Sequence, residues 1–385
     1  MREAVIVSAK RTAIGKVGGM FRHLRAEQLA APVIQAIVKQ NRLDSASIDE
    51  VILGNATGGG GNIARLSLLE ARLPVSVPGV TVDRQCGSGL EAINLACRLV
   101  QAGAGDIYLA GGVESTSTAP WRIEKPASLY DVKGPKFFYR ARFSPDFLGD
   151  PDMGEAAENV AGKYGISRKE QDEYALLSHQ KAVRAVKKGY FLEEIVPVEG
   201  IITDECPRDD TSLEKLSRLK PVFREGGTVT AGNSCPINDG ASVVLVMSKE
   251  KCLELGLKPV LRFVDATSAG VDPNYLGVGP VPAVKKLLER QNLTADDIDI
   301  VEFNEAFAAQ VIASLKLLQI PYEKVCISGG ALALGHPYGA SGAILITRLF
   351  TEMRRKKLKR GLATLGIAGG LGLATLVELI EDDGI

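Results

Sequence analysis

Aromatic residues are scarce in this chain, 5% of 385 with a single tryptophan, and there are only three histidines. A histidine-built metal centre has little to draw on. The six cysteines, Cys86, Cys97, Cys206, Cys235, Cys252 and Cys326, are scattered without CxxC spacing, which argues against zinc and fits a reducing compartment. Charge of one sign is missing too. The 46 Lys and Arg balance the 46 Asp and Glu, so no net field draws the chain to nucleic acid or an anionic membrane. No apolar run free of charges and glycine breaks reaches membrane-spanning length. Met1 to Lys10 carries charges on both sides of the short run Ala4 to Ala9 and has no signal-peptide core. The expectation is a cytoplasmic protein with no metal, bound to neither membrane nor nucleic acid. What is plentiful is glycine, 41 residues, and apolar residues, 45%, enough for large cores in two or three domains.

Strand and helix patterns alternate from the start. Ala4–Ser8, Val51–Gly54 and Asp106–Ala110 read as strands and Val75–Val82, punctuated by Pro78 and Gly79, as a turn feeding a buried strand, with Ala26–Lys39, Ile63–Arg72 and Leu90–Val100 as helices between them. From about Ser117 the texture changes to Trp121, the run Phe137-Phe138-Tyr139, several prolines and the basic cluster Lys133, Lys136, Arg140, Arg142. Two helices follow, Glu155–Tyr164 and Arg168–Lys188, the second opened by the capping box Ser167/Glu170. Alternation resumes with Ala241–Met247, Val260–Ala266, Val281–Arg290, Ile298–Phe303, Ala306–Leu318, Val325–Ser328, Ala340–Met353 and Gly361–Ile380. This is an α/β pattern with strands buried on both faces.

Chemistry concentrates in turns. Cys86 lies in Asp83-Arg84-Gln85-Cys86-Gly87-Ser88-Gly89, between a strand and a helix whose N-terminal N–H groups favour thiolate over thiol. It reads either as a nucleophile or as a cysteine buried in a tight turn. A weak repeat of that unit, Leu334-Gly335-His336-Pro337-Tyr338-Gly339-Ala340-Ser341-Gly342, carries His336 in a glycine-rich turn unsuited to core packing. The repeat predicts a cysteine and a histidine meeting across a pseudo-twofold axis, where the pair activates the thiol. His23 and His179 read as surface residues. Asn304, after an apolar strand, either caps a helix or orients a water or carbonyl. The glycine run Gly58–Gly61 lacks the lysine of a phosphate loop. Lys133–Arg142 and Lys215–Arg224 could receive an anion such as a nucleotide phosphate, and Phe137–Tyr139 reads as core packing rather than as an acyl pocket.

The segments Asp83–Gly89, Gly111-Gly112-Val113-Glu114-Ser115, Thr230-Ala231-Gly232-Asn233 with Asn238-Asp239-Gly240, Asn304-Glu305-Ala306-Phe307-Ala308 and Gly335–Gly342 together resemble the thiolase family of acetyl-CoA acetyltransferases and 3-ketoacyl-CoA thiolases, in the family's order and over nearly the whole chain. The resemblance implies two similar βαβαβαββ halves forming a five-layered αβαβα core: 1–117 plus 230–258 as the first half, 118–229 as an inserted CoA-binding loop domain, and 259–385 as the second half. It implies an acyltransferase that takes an acyl group from acyl-CoA onto Cys86. His336 would activate Cys86 and share an oxyanion hole with a water held by Asn304, and the backbone N–H groups of Cys86 and Ala368 would form a second hole. Lys220, Cys235, Asp152 and Met153 fall at positions that approach CoA. CoA enters as substrate, no cofactor is implied, and a homodimer or homotetramer is expected.

The departures are specific. Gly366 stands where the family has a second catalytic cysteine, which moves the α-proton, work worth roughly 10²- to 10⁴-fold. Cys235 stands in Ser234-Cys235-Pro236 where Ala-Ser-Gly is usual, and Asp152 where histidine is common. Three readings remain: a thiolase in which Cys235, Cys326 or Tyr338 supplies the base, an acyltransferase or thioesterase without carbon–carbon chemistry, and a non-catalytic acyl-CoA-binding protein.

Overall fold

The computed structural model describes residues 2–126, 128, 130 and 134–380. The first half runs β1 (Ala4–Arg11), α1 (Ala26–Gln40), β2 (Glu50–Gly54), α2 (Ile63–Glu70), β3 (Gly79–Val82), α3 (Ser88–Ala102) and β4 (Ile107–Ser115). After an insertion carrying α4 (Met153–Tyr164) and α5 (Arg168–Lys187), it closes with β5 (Asn238–Ser248). The second half runs β6 (Leu261–Gly270), α6 (Pro280–Arg290), β7 (Ile300–Phe303), α7 (Ala308–Leu318), α8 (Tyr338–Lys356), β8 (Arg360–Ile367) and β9 (Leu371–Leu379). Strand order is β3-β2-β4-β5-β1-β6-β9-β8-β7. β1 and β6 pair only at Val5–Arg262 and Ile6–Leu261, so the sheet divides there into two parts with the same internal plan. The expected strand Val325–Ser328 shrinks to a single bridge between Val301 and Val325, because Cys326 and Gly329 take positive φ, +43° and +87°, and turn the chain away.

Strand residues alternate between layers, as a pleated sheet buried on both faces requires. Val5, Val51, Leu53, Leu109, Val243 and Leu245 face α1 and α2, whereas Ile6, Ile52, Ala110 and Val244 face the central layer of α3 and α8. In the second half Ala363, Leu365 and Ile367 face that central layer, and Val301, Phe303, Leu362 and Leu376 face α6 and α7. Five layers result. α3 and α8 approach closely because glycine lines the crossing: a Cβ on Gly89 would lie 2.6 Å from the Gly339 carbonyl oxygen, and one on Gly342 2.3 Å from the Leu90 nitrogen. Phe137 and Phe138 do not form a core. They lie in a surface hairpin, Arg122–Glu124 paired with Lys136–Phe138, and are 59% and 38% exposed, with Trp121 edge-on to Phe137. Within the basic cluster, Lys133 lies outside the described residues, and Arg140 is already paired with Asp150 and Asp152.

One feature of the interior had no counterpart in the sequence pattern. Arg11 and Arg348, both fully buried, share Glu194: Arg11 Nε donates to Glu194 at 2.8 Å and Arg348 to its other oxygen. Arg11 also forks onto Asp204 at 2.7 and 3.0 Å, and Arg348 reaches Glu352 at 2.7 Å. Both guanidinium groups lie over the Phe191 ring. The network joins β1, the insertion and α8, which ties down the helix that begins at the His336 turn.

Glu302, on β7, faces this network and is 1% exposed. Burial pushes its carboxyl up to about 8, against the pull of Arg348 and with Glu352, Glu305 and Glu194 acting in the same upward direction. A carboxyl whose folded pKa is raised favours the fold fully below its unfolded pKa, and that contribution is lost as pH rises through the folded value. Glu302→Gln, neutral at every pH, is therefore expected to gain stability on the wild type between about pH 4.5 and 8 and to hold that gain above. Urea midpoints at pH 5, 7 and 9 check it; a difference independent of pH would contradict the assignment.

Candidate active site

Cys86 is presented by a strained turn. Gln85 just before it has φ +48°, an uncommon conformation for a residue with a side chain. The turn is held by Ser88, whose hydroxyl accepts from Arg84 N at 2.8 Å and donates to Gln85 O at 2.6 Å, and by Asp83, which accepts from Gln85 N at 2.8 Å. Gly87 leaves room for Ile367, whose Cδ1 would lie 2.5 Å from a Cβ there. The Cys86 and Ala368 backbone N–H groups both act on the Cys86 sulfur, as the paired backbone donors of an oxyanion hole would. The expected preference for thiolate is not met in the free protein. Enclosure wins over those donors and pushes the thiol up to about 11, so proton removal falls to a base.

His336 is the candidate for that base. It is 2% exposed, and burial lowers it to about 3, so the ring is neutral. Its Nδ1 lies 2.5 Å from Ser341 Oγ, and Ser341 donates its own proton to Pro337 O at 3.0 Å. Ser341 must then accept from Nδ1–H, which makes Nε2 the acceptor, and Asn304 Nδ2 donates to it at 3.3 Å. Asn304 is not a helix cap, since α7 starts at Ala308 with Phe307 before it. The His336 backbone N–H donates to Asn238 Oδ1 at 2.8 Å, and its ring meets the Tyr338 ring edge-on at 5.0 Å. Burial raises the Tyr338 hydroxyl, and Cys235 and Cys86 push it in the same direction.

Glu114 joins the halves at this point. Fully buried, it accepts from Ala56 N, Thr57 N, Thr57 Oγ1 and Asn55 Nδ2 of the first half at 2.7–3.1 Å and from Gly339 N of the second at 2.9 Å. Nothing in its sequence setting pointed to that bridging role, nor Ser341 to its hold on His336. His179, expected at the surface, is instead 8% exposed and accepts from Arg208 N at 3.2 Å, because the segment around Arg208 covers that face of α5.

The residues predicted to meet CoA divide. Cys235 borders the site: Ser234 bridges Phe307, Cys235 N donates to Ala306 O at 2.9 Å, and Ile237 bridges His336. Met153 opens α4, where a Cβ on Gly154 would run into the Phe223 ring, and Phe223 packs edge-on against Phe307 at 6.1 Å. This leaves a continuous wall from α4 to the Cys235 loop. Lys220 is exposed just ahead of that wall. Asp152 is engaged by Arg140 at 2.7 Å and by the Tyr139 hydroxyl at 2.8 Å. Gly366 has no side chain to offer, and a Cβ there would lie 2.7 Å from Gln310 Nε2.

Two family models fit the chain end to end: the thiolase N-terminal domain over residues 4–250 and the thiolase C-terminal domain over residues 257–379. The chain belongs to the thiolase family. A Staphylococcus epidermidis protein named "Putative acetyl-CoA C-acetyltransferase VraB" is 52% identical over 382 residues, covering 98% of this chain and 99% of that one. A Staphylococcus aureus protein of the same name is 51% identical over 380 residues, covering 98% and 99%. The crystal structure of the Bacillus anthracis acetyl-CoA acetyltransferase superposes with a TM-score of 0.94 at 39% identity, covering 99% of each chain. The thiolase is thus an acyltransferase acting on CoA thioesters, and these likenesses favour neither a thioesterase nor a non-catalytic binding protein. Among the described residues, no helix is long and apolar enough to cross a membrane and no side-chain group could hold a metal ion.

Proposed function

We propose that this thiolase transfers a short acyl group reversibly between CoA thioesters, making and breaking a carbon–carbon bond as an acetyl-CoA C-acetyltransferase, with Cys86 as the acyl carrier. His336 Nε2 takes the Cys86 proton as the thiol attacks the acyl carbonyl. The Cys86 and Ala368 N–H groups receive the acyl oxygen, and His336 with a water on Asn304 serves the second acyl group. Each well-placed donor contributes roughly 3 kcal/mol to transition-state stability. CoA itself is the only group needed besides the chain. Its pantetheine arm runs along the wall made by Met153 and Phe223 of the 118–229 insertion with Phe307 and Cys235, toward Lys220 at the adenine end. Asp152, held by Arg140, shapes that entrance rather than binding charge.

The observation that carries this reading is the convergence of two backbone N–H groups on the sulfur of Cys86, beside a neutral imidazole whose tautomer Ser341 fixes. A homodimer is the expected assembly. β3 is an edge strand, and Leu66, Leu69, Val75 and Val80 around it are exposed, a face that pairing of two copies would cover. A cytoplasmic place in fatty acid metabolism fits the chemistry and the free cysteines. Incubation with acetyl-CoA is expected to add one acetyl group, mapped by peptide mass to Cys86, and acetoacetyl-CoA with CoA is expected to be cleaved to acetyl-CoA. An adduct without cleavage would remove the carbon–carbon chemistry, and no adduct would remove the proposal.

A further inference from the structure

The α-proton of the second acyl-CoA needs a group that Gly366 cannot provide. The wall at Gly366 offers no replacement. Where a side chain there would begin stands the amide nitrogen of Gln310, a residue 1% exposed whose Nε2 is buried without a hydrogen-bond partner. An amide nitrogen has no basic lone pair, so that wall presents a donor only.

Across the site, Cys235 sits at the middle of a short loop pinned at both ends to the catalytic turns, at Phe307 through Ser234 and at His336 through Ile237, with its own N–H on Ala306. Burial pushes its thiol up, and charge on Cys86 pushes in the same direction. The other two candidates fall away. Cys326 is fully buried and donates to Phe303 O at 3.2 Å, behind the Asn304 turn. Tyr338 is a phenol whose ordinary pKa near 10 lies above that of a thiol, and its ring is taken up edge-on against His336 at 5.0 Å.

We infer that the second catalytic thiol of this thiolase has moved from the end of β8 to the opposite loop, where Cys235 carries the proton between the two half-reactions. The inference rests on the acyl-enzyme reading above. Cys86, as thiolate with its proton on His336, attacks the acyl-CoA carbonyl. The carbon–sulfur bond to CoA breaks, and the Cys235 S–H proton passes to the departing CoA sulfur, leaving Cys235 as thiolate. That thiolate removes the α-proton of the second acyl-CoA and becomes S–H again. The electron pair of the broken C–H bond forms the new carbon–carbon bond to the acyl carbon, whose bond to Cys86 breaks and restores the starting thiolate. Burial holds Cys235 as the thiol at rest, the form the first step uses.

The test compares Cys235→Ser and Cys235→Ala with the wild type in acetoacetyl-CoA cleavage and in Cys86 acetylation by acetyl-CoA. Serine is nearly isosteric and keeps the loop. Cleavage is expected to fall about 100-fold or more in both variants, beyond any fall in acetylation, and to lose the alkaline limb of its pH profile. Gly366→Cys added to Cys235→Ser is expected to recover cleavage, the Gln310 amide swinging aside. Cleavage that survives in Cys235→Ser, or that falls only in step with acetylation, would overturn the inference while leaving the thiolase reading intact. A wild type that acetylates Cys86 but cleaves nothing would instead sink the carbon–carbon reading and the inference with it.

Discussion

Cys86→Ala is expected to abolish the covalent acetyl adduct and to lower acetoacetyl-CoA cleavage by on the order of 10⁴-fold or more, while the protein remains folded and retains affinity for CoA. The size follows from the arrangement. In the proposed mechanism the Cys86 and Ala368 N–H groups and the His336 base all serve this one sulfur and the carbonyl it attacks, and groups that act as a unit lose nearly everything when the nucleophile goes. Alanine deletes a single side-chain atom and leaves the turn that Asp83 and Ser88 hold in place. Intact mass after acetyl-CoA treatment and a thermal melt read the two halves of the expectation. A residual adduct on Cys86→Ala would point to Cys235 or another thiol as the true carrier.

Arg348→Met is expected to cost about 3–5 kcal/mol of stability, the loss typical when one partner of a buried ion network is removed and the other is left charged. Methionine fills similar space and spans similar length, so the cost isolates the charge. Glu194 keeps Arg11, and Glu352 keeps Arg355 and Ser328, but both lose the guanidinium that lies between them. Denaturant midpoints measure the loss, and Arg348→Met combined with Glu352→Gln is expected to recover part of it. A change below about 1 kcal/mol would mean that the network relaxes around the gap. Because Arg348 lies on α8, three turns beyond the His336 turn, activity is expected to fall alongside stability.

The catalytic trio was legible because its chemistry is local. A cysteine or histidine in a glycine-rich turn ahead of a helix declares itself, and Cys86 and His336 do sit just ahead of α3 and α8. Asn304 was found with the wrong alternative beside it, since only the true start of α7 at Ala308 separates a cap from a site residue. What stayed hidden depends on contacts distant in sequence. Arg11, Glu194 and Arg348 carry no signal in the sequence until the fold brings them together, and His179 reads as surface until the Arg208 segment covers it. The thiolate expectation failed for a related reason. A helix N-terminus is visible in sequence, whereas the desolvation that outweighs it at Cys86 is a property of the assembled core. Phe137 and Phe138 show the reverse error, apolar residues assigned to a core that their hairpin does not enter.

The crossing of α3 and α8 also sets an order on maturation. Cys86 belongs to the first half, whereas Asn304, His336 and Ala368 belong to the second, and the glycines at Gly89, Gly339 and Gly342 let the halves meet only when docked backbone to backbone. Neither half holds a working site alone. During refolding, acylation of Cys86 should therefore lag behind the recovery of helix and strand signal and begin only once both halves are in contact.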